Sequence, residues 1–352
     1  MHSYQQTYNF LTQYKLILVL VANCLLGSPV ALAQGSEGHE KQGHEKEETN
    51  FIFHHIGDAH EWHLVTMGHM HVTIPLPIIL VSKNKGVEIF SSNRFWDAQH
   101  HRVSYKGYHI NNHEKIVADD PTWRFYDLSI TKNVASMLLS MFLLLTVGLV
   151  AAKRYKTNPY STPRGLWGFL EMFICFIRDE VAIPNIGAHH YKSFMPYLLS
   201  VFFFIWLNNL MGLLPGAANV TGNISVTLVL ALFTFIITIA HGNKHYWGHI
   251  LRPPGVPIWL LPIMIPVELM GLLTKPISLM VRLFANITAG HIILLSIISL
   301  IFIFQTSWAG LISVPFGAFM FLLKLIVAFL QAYIFTLLSA IYFGMAVEET
   351  HE

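Results

Sequence analysis

Residues Leu272–Leu295 read LLTKPISLMVRLFANITAGHIILL, an apolar run with a single arginine, Arg282, near its middle. From Pro276 to Val347 the only full charges are Arg282 and Lys324, and His291 is the one other strong titratable group. A charge held at mid-bilayer costs about 2.5–3.5 kcal/mol on insertion scales, so such residues face a cavity or a partner and mark an ion path. Guanidinium does not deprotonate in proteins. Arg282 is therefore a fixed charge: it cannot carry a proton, but it can hold a carboxylate ionised and block leakage past it. No Asp or Glu lies between Glu268 and Glu348, so the partner acid is predicted on another polypeptide. The competing reading is an arginine snorkelling from a helix end to the interface, against which the long apolar flanks on both sides weigh.

Helical spacing puts Ser278, Ala285, Asn286 and Ala289 on the face of Arg282, a small and weakly polar surface that lets another helix approach closely. Glu268, Lys275 and Arg282 are spaced by seven and fall near one face of a continuous helix, with Pro276 expected to interrupt it. Glu268 reads either as the lining of an aqueous path or as an acid at a helix end, and Lys275 reads as structural or interfacial. His291, nine residues after Arg282 and nearly opposite it, suits a proton relay near neutral pH. On the residues alone, a satisfied packing histidine is the stronger reading. Lys324 and Gln331 share a face of the last helix. Lys324 faces His291 or water, and Gln331 reads first as a hydrogen-bonding contact between helices.

Outward from this stretch, the 352 residues are 53% hydrophobic and 12% charged, with a mean hydropathy of +0.49. A soluble domain carries about 25% charged residues, so lipid is the solvent for much of this chain. Apolar spans are predicted at Val134–Ala152, Met195–Leu214 and Ile224–Ala240, and within the longer stretches Ile258–Phe304 and Pro315–Ala346. Residues 166–182 mix aromatics with Glu171, Arg178, Asp179 and Glu180, the pattern of an interfacial amphipathic helix. The fold class is an all-α polytopic membrane protein with about five membrane-embedded helices and one interfacial helix, the last two long and tilted. The loop 153–164 holds Lys153, Arg154, Lys156 and Arg164, and the loop 241–252 holds Lys244 and Arg252, with no acid in either. The positive-inside rule then places both loops and the C-terminus in the cytoplasm and the N-terminal part outside.

Lys15, the apolar run Leu16–Leu26 and Ala31-Leu32-Ala33 form a secretory signal pattern over residues 1–33. A polar, His-rich linker covers 34–50, a small mixed extracytoplasmic domain with some β-structure covers 51–130, and the membrane ion-translocating domain covers 131–352. Gly86–Phe90 reads as a strand. Twelve of the 20 histidines fall between His39 and His113. His54, His55, His60, His63, His69 and His71 could bind zinc or copper, bind metal adventitiously, or buffer pH. No HExxH is present, and no metal or cofactor is assigned. Cys24 and Cys175 offer no disulfide framework. A net charge of +2 without a basic run argues against nucleic acid.

Leu272–Leu295 resembles the signature segment of subunit a of F-type ATP synthases. FIRDEVAIPNIG, FFFIWLNNLMGLLPG and AFLQAYIFTLLSAIYFGMAVEE resemble three further segments of that family, in order, and the match runs over most of 130–350. The resemblance implies a non-catalytic stator of the bacterial inner membrane beside a rotating ring of c subunits. It would be held by the subunit b peripheral stalk within the F-type complex. Protons would pass through two half-channels, with proton as the default ion. Arg282 matches the family's essential arginine, which would separate the half-channels. Asn286, His291 and Gln331 match positions of the outer path, which Asn209 joins, and Glu268 matches an acid of the cytoplasmic path. One position departs from the pattern: where an acid is expected to partner His291, this chain has Lys324. Carboxylates that some members carry after the NN-L motif are replaced by Gly212 and Ala217. The alternative is a secondary ion transporter or channel, which predicts inverted repeats; the sequence has none.

Overall fold

The computed structural model describes residues 60–67, 70–82, 85–97, 102–111, 115–120, 123–157, 165–213, 218, 220–251, 258–304 and 307–348. The signal pattern of 1–33 and the linker of 34–50 lie outside the described residues.

Residues 60–130 hold short antiparallel strands. β1 (Glu61–Met67) pairs with β2 (Met70–Pro75), with a bulge between His63 and Val65. A three-stranded sheet has the order β4-β3-β7, from β3 (Pro77–Ser82), β4 (Gly86–Ser91) and β7 (Phe125–Asp127). β5 (Tyr108–Ile110) pairs with β6 (Ile116–Ala118). The period-2 alternation of β3 turns Ile78 and Leu80 inward, where they meet Phe95, Tyr108, Ile110 and Ile116. Gly107 sits at φ +85°, and a Cβ there would lie 2.9 Å from the Trp123 ring, so the tight turn into β5 requires glycine.

The rest is helical. α1 (Lys132–Thr157) follows β7 almost directly, since Ile130 N–H still bonds to the Pro77 carbonyl while Ala135 N–H already bonds to that of Thr131. α2 (Leu166–Phe176) continues through a π-helical turn at Ile177–Ala182 into α3 (Ile183–Ile186). This corrects the expectation of one interfacial helix over 166–182. The wider turn directs Ile177, Val181 and Ala182 into the core while Arg178, Asp179 and Glu180 stay exposed. α4 (Tyr191–Met211) and α5 (Ile224–Ala240) follow, and α5 bends by 103° into α6 (Lys244–Leu251). Asn243, at that bend, donates from its backbone N–H to Ala346 O and from Nδ2 to Val347 O, satisfying carbonyls at the end of the last helix.

α7 (Leu261–Phe304, 44 residues) and α8 (Ser307–Val347, 41 residues) complete the chain. Among the described residues, four helices are long and apolar enough to cross a membrane, or five counting the bent pair α5–α6 as one span. The expected break at Pro276 does not occur: α7 runs through both Pro266 and Pro276. In lipid, a proline costs one backbone bond but offers the freed carbonyl no competing water, so the helix continues. α4, α5, α7 and α8 share one core around Phe202, Leu279, Leu283, Phe335 and Phe343. Hydroxyls tie it across helices, Tyr197 Oη to Thr234 Oγ1 at 2.8 Å and Thr234 Oγ1 to Ser339 Oγ at 3.4 Å.

Candidate functional site

The register of α7 is fixed by Leu279 and Leu283, both fully packed into the helical core. With those side chains inward, the 100° step per residue places Ser278, Arg282, Ala285 and Ala289 along one flank of the helix and Asn286 at the edge of its packed face, and all five are exposed. The small, polar face expected from the sequence is thus an open surface with the guanidinium standing on it. Among the described residues, Arg282 has no ion pair.

Behind this face the long helices are joined by side-chain amides. Asn286 Nδ2 donates to Gln331 Oε1 at 2.7 Å, and Gln331 is buried. Asn209, buried on α4, donates through Nδ2 to Ala328 O of α8 at 3.3 Å. It accepts at Oδ1 from Thr221 Oγ1 at 2.6 Å. Asn209, Gln331 and Asn286 therefore form a polar seam across α4, α8 and α7 that ends one turn from Arg282.

Lys324 reaches toward α7. A Cβ built on Gly290 would sit 3.5 Å from Lys324 Cε, an ordinary van der Waals contact, so the lysine stem lies close to the α7 backbone at Gly290. His291 lies in α7 beside this contact, with its side chain outside the described residues. Toward the start of α7, Glu268 is half-buried and lies within electrostatic reach of Lys275. Lys275 Nζ stands 5.3 Å from the Tyr342 ring centroid, and Tyr342 also feels the charge of Arg282. Glu268, Lys275 and Arg282 thus follow one another along α7, with Tyr342 of α8 beside Lys275. The unbroken α7 makes the seven-residue alignment of its three charged members more regular than a break at Pro276 would allow.

Sequence reasoning missed a second polar group. Ser136 and Ser140, one turn apart on α1, are buried against α4. Asn208 Nδ2 donates to Ser140 Oγ at 3.0 Å and to Phe204 O at 2.8 Å. Asn208 Oδ1 and Ser136 Oγ are buried with no hydrogen-bond partner among the described residues. The available signal was the spacing of Asn133, Ser136 and Ser140, which share one face of an otherwise apolar span.

The fold and site define a polytopic helical membrane protein that presents a fixed arginine on an open helix face, backed by amide contacts between its long helices. Comparison with known proteins places it more narrowly. The family model described as ATP synthase A chain matches residues 134–344, and a domain of unknown function, DUF8433, matches residues 51–135. The chain is 46% identical over 228 residues to ATP synthase subunit a of Chloroherpeton thalassium, covering 63% of this chain and 68% of the relative. It is 48% identical over 235 residues to ATP synthase subunit a 2 of Prosthecochloris aestuarii, covering 64% and 72%. To ATP synthase subunit a of Chlorobium phaeobacteroides it is 43% identical over 254 residues, covering 70% and 73%. The chain belongs to the ATP synthase A chain family.

Proposed function

We propose that this chain is the proton-translocating, non-catalytic membrane subunit of an F-type ATP synthase in a bacterial inner membrane. The observation that carries the reading is the exposed face Ser278–Arg282–Ala285–Asn286–Ala289, a guanidinium with no ion pair among the described residues on a surface of side chains small enough for a partner helix to approach. The natural occupant is a rotating ring of c subunits whose membrane carboxylate Arg282 holds ionised as it passes. A subunit b stalk would keep the chain from turning with the ring.

Two half-channels meet at Arg282 in this reading. On the outer side a proton passes along Asn209, Gln331 and Asn286, with His291 and Lys324 beside the path. The orphaned oxygens of Ser136 and Asn208 extend that path toward α1, because buried polar atoms without protein partners are satisfied by water. On the inner side the proton leaves past Glu268. Arg282 separates the two, since its positive charge repels protons and never gives up its own. A unit charge crossing 100 mV releases about 2.3 kcal/mol, so several must cross for each ATP made. The basic loops near Lys153 and Lys244 face the cytoplasm, the strand-rich residues 60–130 face outward, and α8 ends inside.

The test is ATP-driven acidification of inverted membrane vesicles, comparing wild type with Arg282→Ala at matched assembly. The expected result is loss of pumping with the ATPase head still bound and active. Pumping near the wild-type rate would show that Arg282 is not the barrier and would overturn the reading.

A further inference from the structure

A sheet with one face in water carries its apolar side chains on the packed side and its polar ones on the open side. The sheet β4-β3-β7 does not. Its two carboxylates lie on the packed side, where Glu88 and Asp127 flank Leu80 in register. Each has a partner there: Glu88 Oε1 is 3.3 Å from Lys106 Nζ, and Asp127 Oδ2 is 3.2 Å from His60 Nε2. On the open side the register sets Val87 beside Val81 beside Tyr126, and Ile89 beside Ile79. Leu128 completes the second row, its N–H bonding to Ile79 O at 2.9 Å. Val87 is 62% exposed, Ile89 67%, Tyr126 55% and Leu128 50%. Six contiguous side chains without a charge form an apolar patch of the kind that marks an interaction surface.

We propose that this face rests on the lipid surface, at the headgroup–acyl boundary of the leaflet where α1 begins. Continuity with the membrane span is the first support. The N–H groups of Leu128 and Ile130 still bond to β3, while Ala135 N–H already bonds to Thr131 O in the first turn of α1. Ile79 N–H also bonds to Ser129 Oγ at 3.1 Å. No slack chain separates the sheet from the helix. Depth is the second support. The apolar window Lys132–Arg154 has 23 residues, about 34 Å of helix, against a hydrocarbon core about 30 Å thick. Lys132 therefore stands at headgroup level. Leu128 precedes it by four residues, at most about 14 Å of extended chain. Chemistry is the third support. Tyrosine, with an apolar ring and a polar tip, is enriched where membrane meets water, and Tyr126 stands on this face. Arg124, exposed just before β7, adds a cation for the lipid phosphates. This seating requires only that α1 spans the membrane, and it is independent of the proton path past Arg282.

The test uses the assembled complex in lipid nanodiscs, where both leaflets are open to solvent. Cys24→Ser and Cys175→Ser form the background, and that complex without a further cysteine is the blank. A small fluorophore on Ile89→Cys, and separately on Val87→Cys, is expected to lose more emission to lipid brominated near the headgroup than to soluble iodide. The same fluorophore on Lys106→Cys is expected to show the reverse, because Lys106 stands with Glu88 on the opposite side of β4. Slow hydrogen exchange at the β3 amides Ile78–Leu80 in each labelled variant shows that the sheet is folded. A loss to iodide at positions 87 and 89 that equals or exceeds the loss to brominated lipid overturns the proposal, because the face is then in water. Shielding of both positions from both quenchers, or their cross-linking to a second copy or to another subunit, equally overturns it, because a protein then covers the face.

Discussion

Asn286 Nδ2 and Gln331 Oε1 lie 2.7 Å apart and tie α7 to α8 one turn beyond Arg282. One partner is exposed on the arginine face and the other is buried, so the bond links the open surface to the interior seam that continues to Asn209. If this bond positions Asn286 for proton passage, Asn286→Leu and Gln331→Leu should each reduce ATP-driven acidification without loss of the subunit from membranes. Gln331→Leu leaves an amide on α7 without its partner, a cost of about 1–3 kcal/mol, while removing both partners costs less than the sum. A double-mutant cycle on the pumping rate should therefore show coupling of about 1 kcal/mol. Additive losses would mean that the two residues act separately.

The close approach of α3 and α8 rests on a glycine. A Cβ added at Gly344 would fall on the Asn185 carbonyl oxygen, a backbone atom with nowhere to retreat. Gly344→Ala should lower the thermal stability of the membrane-extracted complex and the amount of chain retained, at a cost of about 1–3 kcal/mol or more. Gly317→Ala on the same helix meets nothing within 4 Å and serves as the silent comparison. Equal melting of the two variants would show that the helices part without penalty.

The arginine face was legible because a 3.6 period needs only one helix to be read: Ser278, Ala285, Asn286 and Ala289 follow from the spacing alone, and all four are exposed. The Asn286–Gln331 bond was not legible as a pair, since it joins residues 45 apart through tertiary packing. Pro276 misled because its penalty is calibrated in water, where the freed carbonyl finds solvent and the helix ends. The π-helical turn at Ile177–Ala182 escaped because the apolar pattern of 166–182 fits an α-helix and a locally widened one alike. Ser136 and Ser140 passed as neutral residues in an apolar run, and only the packing of Asn208 against them shows a polar contact.

The pair His60–Asp127 makes the strand-rich part sensitive to acid. Burial pushes the Asp127 carboxyl up, but hydrogen bonds from His60 and Ser129, together with the charge of His60, hold it below its ordinary value. A depressed carboxylate contributes stability that is fully present above the unfolded value of about 3.9 and is lost as pH falls through the folded value. Hydrogen exchange at the β3 amides should therefore quicken as pH drops below about 4, beyond the intrinsic change in exchange rate. Asp127→Asn should be less protected at neutral pH and nearly flat across the same range. A wild-type profile as flat as that of the variant would remove Asp127 as the cause.

Lys324 stands where the family resemblance expects an acid. Its stem lies close to Gly290 on α7, and a glutamate is shorter than the lysine it replaces, so it fits without displacing the helix. Two cationic groups placed together disfavour each other's protonation, whereas a carboxylate beside a histidine favours a shared proton. Lys324→Glu should therefore keep ATP-driven acidification within about twofold of wild type or raise it, a change of at most ~0.4 kcal/mol in barrier if it falls. Lys324→Met, which removes the titratable group while keeping the stem, should pump less than Lys324→Glu. Complete loss of pumping in Lys324→Glu with normal assembly would instead give the lysine a necessary role of its own, in which its positive charge, and not an acid–base pair with residue 291, sets the outer path.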